Sequence, residues 1–152
     1  MKKVLYIFLC SAIFSTVLSF IFPILSFASI PSQFTDHFWI WGYRYIPFID
    51  GINILDIPQK IISLFYVLLI IFLLRSFYVL RRNPDSLDDI SQKWQKWGIL
   101  SLILYSLWIM SSFILGALNF VYPYGYIINF SFIFPILSGL LLILTRTYYC
   151  RF

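Results

Sequence analysis

Between Val4 and Ser29 the chain carries no charged side chain. Three further stretches come close to that condition: residues 59–80, broken by Lys60 and Arg75; 98–118, with no charge; and 127–146, charged only at its end. A helix of about 20 apolar residues spans the ~30 Å hydrocarbon core of a bilayer. Lipid offers no partner for an unpaired peptide group, so such runs cross as helices. The pattern predicts an all-α, polytopic membrane protein with four transmembrane helices and an aromatic-rich outer loop, forming one integral membrane domain over 1–152. Composition supports this. A 152-residue soluble domain could not bury its apolar surface when 61% of residues are hydrophobic and only 11% charged.

Orientation follows from the basic residues. With the N-terminus inside, Lys2, Lys3, Arg75, Arg81, Arg82, Lys93, Lys96, Arg146 and Arg151 all fall on the cytoplasmic side, leaving only Arg44 and Lys60 outside. Basic residues collect on the cytoplasmic side of membrane proteins, so the chain reads as N-in and C-in in a plasma membrane. The net charge of +5 is spread over the ends of apolar runs, not gathered into a patch, so the expected partner is the lipid bilayer and not nucleic acid. Arg75 sits near the end of the second run, where it can snorkel to the interface beside Arg81 and Arg82.

The first run has two readings. Ser26-Phe27-Ala28 resembles a small-x-small signal-peptide cleavage site. Against cleavage, the apolar stretch is longer than a signal-peptide core, and Ser11, Ser15 and Ser19 form a small-residue stripe suited to helix packing. A retained first span is the expectation.

One octapeptide occurs twice, as Ser19–Ser26 and Ser131–Ser138, both reading Ser-Phe-Ile-Phe-Pro-Ile-Leu-Ser. Proline inside a helix removes a hydrogen bond and clashes with the preceding turn. The spacing therefore predicts a proline kink in the first and last helices, with the Ser19 and Ser131 carbonyls released. Ser19, Pro23 and Ser26, and likewise Ser131, Pro135 and Ser138, share one face as a candidate packing or hinge surface. Packing is the plainer reading, since Pro, Ser and Gly are ordinary in membrane helices. Ser112 and Gly116 form a further small-xxx-small pair in the third run.

Pro58 is suited to the first turn of the second helix. After the Asn83-Pro84 breaker, Ser86 with Asp88 and Asp89 marks a helix start at Leu87. Leu87, Ile90, Trp94 and Trp97 lie along one side of that entry segment, away from Lys93 and Lys96. The outer stretch from Ile30 to Gln59 is crowded with Phe, Trp and Tyr, which favour the headgroup layer. Residues 119–126 read as a short uncharged turn.

Chemical signatures are sparse. The centres of the four runs hold no Asp, Glu, Lys, Arg or His, which argues against proton-coupled transport. With one histidine, His37, and two separated cysteines, Cys10 and Cys150, neither haem nor zinc nor dithiol chemistry is expected, and no cofactor is implied. Asp36-His37, with Arg44, Asp50 and Asp56 in the same outer stretch, is the best acid–base grouping, and an interfacial polar fringe is its plainer explanation.

Leu74–Leu80, Ser86 and Trp97-Gly98-Ile99-Leu100 resemble positions of domain-of-unknown-function family 2975, small bacterial membrane proteins with four spans, although the connecting turn here lacks the family's Gly and Phe. The resemblance, mainly over residues 74–100, implies topology and no activity. The expected role is a non-catalytic membrane protein acting through helix–helix contacts (accessory, regulatory or immunity-type), with a membrane-protein partner or homo-oligomer. The alternatives are binding or passage of a small molecule or lipid between kinked helices and, last, a membrane-surface enzyme using Asp36 and His37.

Overall fold

The computed structural model describes residues 2–28, 35–40, 42–44, 52–53, 57–82, 87–119 and 125–151, with side-chain surroundings for 3–24, 40, 60–82, 88–111 and 129–151. Four α-helices carry the fold: α1 (Lys2–Ile21), α2 (Ile57–Arg82), α3 (Leu87–Asn119) and α4 (Ile133–Arg151), the last preceded by a 3-10 turn at Phe130–Phe132. Among the described residues three helices are long and apolar enough to cross a membrane, at Lys3–Ile21, Lys60–Arg82 and Phe130–Arg151. They are compatible with an integral membrane protein. The starts of α2 and α3 agree with the Pro58 and Leu87 signals.

Each helix packs on its sequence neighbours, and α4 closes the ring against α1. Neighbours run antiparallel. Tyr6 at the start of α1 meets Phe77 near the end of α2, while Phe20 meets Tyr66 at the opposite ends. Phe8 meets Tyr148, and Trp94 meets Tyr149, so α4 returns to the level of the N-terminus. The core between the helices holds Leu5, Leu9, Tyr66, Leu69, Leu73, Trp94, Tyr105 and Leu142. Outside, Phe14, Leu64, Ile71, Ile103, Leu107, Leu140 and Leu144 stand exposed on all four helices. Apolar surface of that extent is what lipid covers and water does not tolerate.

The α3–α4 contact is close because two glycines face it. A Cβ on Gly98 would lie 2.7 Å from the Gly139 carbonyl oxygen and 2.9 Å from Ile143 Cγ1. A Cβ on Gly139 would lie 2.8 Å from Leu102 Cγ. Backbones approach this way where side chains are absent.

The outer segment departs from the expected loop and adds strands to the all-α expectation. Five antiparallel strands, β1 (Leu25–Ala28), β2 (Thr35–Trp39), β3 (Gly42–Arg44), β4 (Ile52–Asn53) and β5 (Gly125–Ile128), form one sheet in the order β4-β3-β2-β1-β5. The backbone leaves the apolar helices and satisfies its hydrogen bonds by lateral pairing, which aromatic and β-branched residues accommodate. β5 comes from the second outer connection, so the sheet ties both connections together. The stretch expected as a turn at 119–126 thus contributes a strand, and the fourth helix begins at Ile133, not at 127. The first helix likewise ends at Ile21, well before Ser29, and Ser26-Phe27-Ala28 lies in β1.

Candidate functional site

The two octapeptide copies come together where α1 ends and α4 begins. They do so in different conformations, which corrects the expectation of two kinked helices. In the first copy Pro23 stands two residues beyond the end of α1 and the chain enters β1 at Leu25. In the second, a 3-10 turn leads into α4, and Pro135 is the third residue of that helix. Proline is tolerated in a first turn because the N–H it lacks has no intrahelical partner there, and it is common just after a helix end. Neither proline therefore breaks the interior of a helix. One stops a helix and the other sits at a helix start.

The copies are joined by direct bonds. Ser131 Oγ donates to the Pro23 carbonyl. The Asn129 N–H donates to Ile24 O at 3.1 Å, extending the β1–β5 ladder, in which Leu25 faces Ile128 and Ser26 faces Ile127. Phe22 and Phe130 pack at 5.9 Å on the outside of this junction. From α3, Tyr105 donates its hydroxyl to Phe132 O at 2.9 Å and packs its ring on Phe132 at 5.7 Å.

One to two turns further into the bundle, Thr16 and Ser138 meet at 2.6 Å between their hydroxyls. Thr16 has one hydroxyl proton and directs it to Ala12 O at 2.7 Å, so Ser138 is the donor to Thr16. Ser19 Oγ donates to Thr16 O at 2.6 Å. Thr16, Ser19, Ser131 and Ser138 are all fully buried or nearly so, and Pro135 is buried beside them. The result is a hydroxyl seam along the α1–α4 interface, in which each proton is spent on the chain's own oxygen atoms. A second interior pair, Ser101 donating to Tyr66 Oη at 3.3 Å, links α3 to α2.

The sequence-derived residues fare unequally. Ser19, Pro23, Ser131, Pro135 and Ser138 converge. Ser26 belongs to β1, its side chain outside the described surroundings, as are those of Ser112 and Gly116 in α3. Asp36 and His37 are consecutive positions of β2, with Asp36 paired to Phe27, and His37 paired to Ser26 and Arg44. Asp50, Asp56 and Ser86 lie outside the described residues.

At the other end of the bundle a clasp holds α3 to α4, which the sequence reading did not anticipate. Tyr149 donates to Asp88 Oδ1 at 2.6 Å, Arg146 donates to Ser91 Oγ at 2.7 Å, and Ser91 donates to Asp88 O at 2.8 Å. The Arg146 guanidinium lies 5.9 Å from the Tyr149 ring centre, and Trp94 packs edge-on to that ring at 6.0 Å. Lys3, Arg81, Arg82, Lys93, Lys96 and Arg151 stand exposed around the same end. Their exposure, and the half-buried Arg146, would have been hard to separate from charge count alone. Among the described residues no group of His, Cys, Asp or Glu could hold a metal ion.

No protein-family model matches the chain, and no curated protein is detectably similar to it.

Proposed function

We propose that the chain is a four-span plasma-membrane protein with both termini in the cytoplasm, acting through helix contacts as an accessory, regulatory or immunity-type subunit without catalysis. The observation that carries this reading is the hydroxyl seam. Its polar groups are engaged in holding α1 to α4, and the first step of the alternative, lipid between two kinked helices, loses its premise once Pro23 ends a helix and Pro135 starts one. α3 serves as the third crossing. It has 33 residues, about 50 Å of helix, enough to span the ~30 Å core and leave its Trp94 end in the interfacial layer. Among the described residues, the outer apolar surface and the charged inner rim remain for function.

Site-specific photo-cross-linking from exposed positions such as Phe14 or Leu107, performed in native membranes, tests this. A discrete adduct, with a second copy or with one membrane protein, is expected from one face. Uniform labelling of lipid from every face would count against it. His37→Ala is expected to leave the biological activity intact, and its loss would revive the surface-enzyme reading.

A further inference from the structure

The outer face of α2 carries a cationic stripe that no described part of the chain covers. Arg75 is exposed on that helix, seven residues before its end at Arg82, which places its backbone about 10 Å deeper along the axis. Ile71 and Leu74, more than half exposed, are its neighbours on that surface, so the guanidinium emerges among lipid-facing side chains. No hydrogen bond or ion pair within the described residues engages it. Tyr78 and Arg82 follow at i+3 and i+7 and continue the same face. Arg82 Nη1 donates to Tyr78 Oη at 2.9 Å, and its guanidinium lies 5.4 Å from the Tyr78 ring centre. Tyr78 Oη accepts from Arg82 and so keeps its own proton free to donate. Two cationic forks and a phenol are thus aligned along one stripe.

We propose that Arg75, Tyr78 and Arg82 form a binding site for the phosphate headgroup of an anionic phospholipid in the cytoplasmic leaflet. The inference rests on α2 spanning the bilayer. A guanidinium at the edge of the hydrocarbon layer requires an acceptor, and its planar fork matches a phosphate better than a point charge does. The phosphate diesters of lipids lie at the depth this stripe reaches by snorkelling. Charge complementarity selects an anionic headgroup over a zwitterionic one, and the flanking Ile71 and Leu74 suit its acyl chains better than they suit a soluble anion. Tyr78, held by Arg82, fixes where the donors stand before the lipid arrives.

The test is lipid retention by the purified full chain. The protein is exchanged into mixed micelles of phosphatidylglycerol and phosphatidylcholine, and retained lipid is counted by native mass spectrometry. Wild type is expected to retain phosphatidylglycerol preferentially, Arg75→Gln to lower that preference about tenfold, and Tyr78→Phe to lower it less. Lys93→Gln, which removes equal charge from an exposed position on α3, is expected to leave it unchanged, as is millimolar inorganic phosphate. Equal retention of both lipids by the wild type overturns the proposal, as does a Lys93→Gln effect matching Arg75→Gln or displacement by free phosphate. Far-UV circular dichroism confirms that each variant is helical before it is scored. Release of the wild type from membranes by alkaline carbonate would instead defeat the spanning reading on which the site depends.

Discussion

Gly98 and Gly139 set how closely α3 and α4 approach, and the cost of adding a single methyl group there is calculable. Each Cβ would press on the facing backbone or on a packed Leu102 or Ile143. Gly98→Ala or Gly139→Ala is therefore expected to lower stability by about 1–3 kcal/mol, the usual cost of overpacking, read as a lower unfolding midpoint in detergent. A gain in stability, as expected from reduced backbone freedom in an uncrowded helix, would show that the helices stand further apart. The Thr16–Ser138 contact is worth less. A cycle of Thr16→Val and Ser138→Ala is expected to return a coupling of about 0.6 kcal/mol, and no more than about 1.7. A coupling of zero would mean the two hydroxyls do not meet. The sequence showed that these residues were small and polar, yet not which would meet. Gly139 gave no signal of its own, because periodicity describes one helix at a time and the register between helices is absent from it. Ser112 and Gly116 had the recognisable spacing, while the close approach uses one glycine from each of two helices.

At the scale of elements, the octapeptide shows how far local sequence can be overruled. Identical residues end a helix and enter a strand in one place, and lead through a 3-10 turn into a helix in the other. What differs is the continuation: Ser26 is followed by Phe27-Ala28 and the outer segment, whereas Ser138 is followed by Gly139 and a long leucine run. Proline is compatible with both because each use places it where its missing N–H costs nothing. Pro135→Ala is accordingly expected to lower stability by about 1 kcal/mol through lost ring packing, whereas removal of an interior break would raise it by about 3 kcal/mol. Thermal unfolding of the variant separates the two signs. Helix starts at Pro58 and Leu87 were legible because capping and breaker residues act locally. The sheet was not. β2 and β3 pair with Trp39 opposite Gly42, and the sequence between them, Ile40-Trp41, has none of the Asn-Gly chemistry that marks a tight hairpin. The strands are also short, two to five residues each, and neighbours such as Phe38-Trp39 break the apolar–polar alternation that reveals a strand.

For the whole molecule, the antiparallel ring and the charge distribution make separate statements about topology, and one pair of fusions can separate them. Phe8 lies 6.0 Å from Tyr148, ring centre to ring centre, so the start of α1 and the end of α4 lie at the same end of the bundle. That follows from packing and holds whichever way the protein is inserted. The side on which that end lies is the proposal's: Lys3, Arg81, Arg82, Lys93, Lys96 and Arg151 stand exposed there, and the positive-inside bias expects it to face the cytoplasm. A reporter active only in the cytoplasm, fused after Phe152, is expected to be active, and one active only outside is expected to be active when inserted between residues 45 and 51. Both reporters reversed would leave the bundle intact and refute the charge argument alone. Termini on opposite sides would refute the bundle, since no ring of four antiparallel helices brings Phe8 to Tyr148 across the thickness of a membrane.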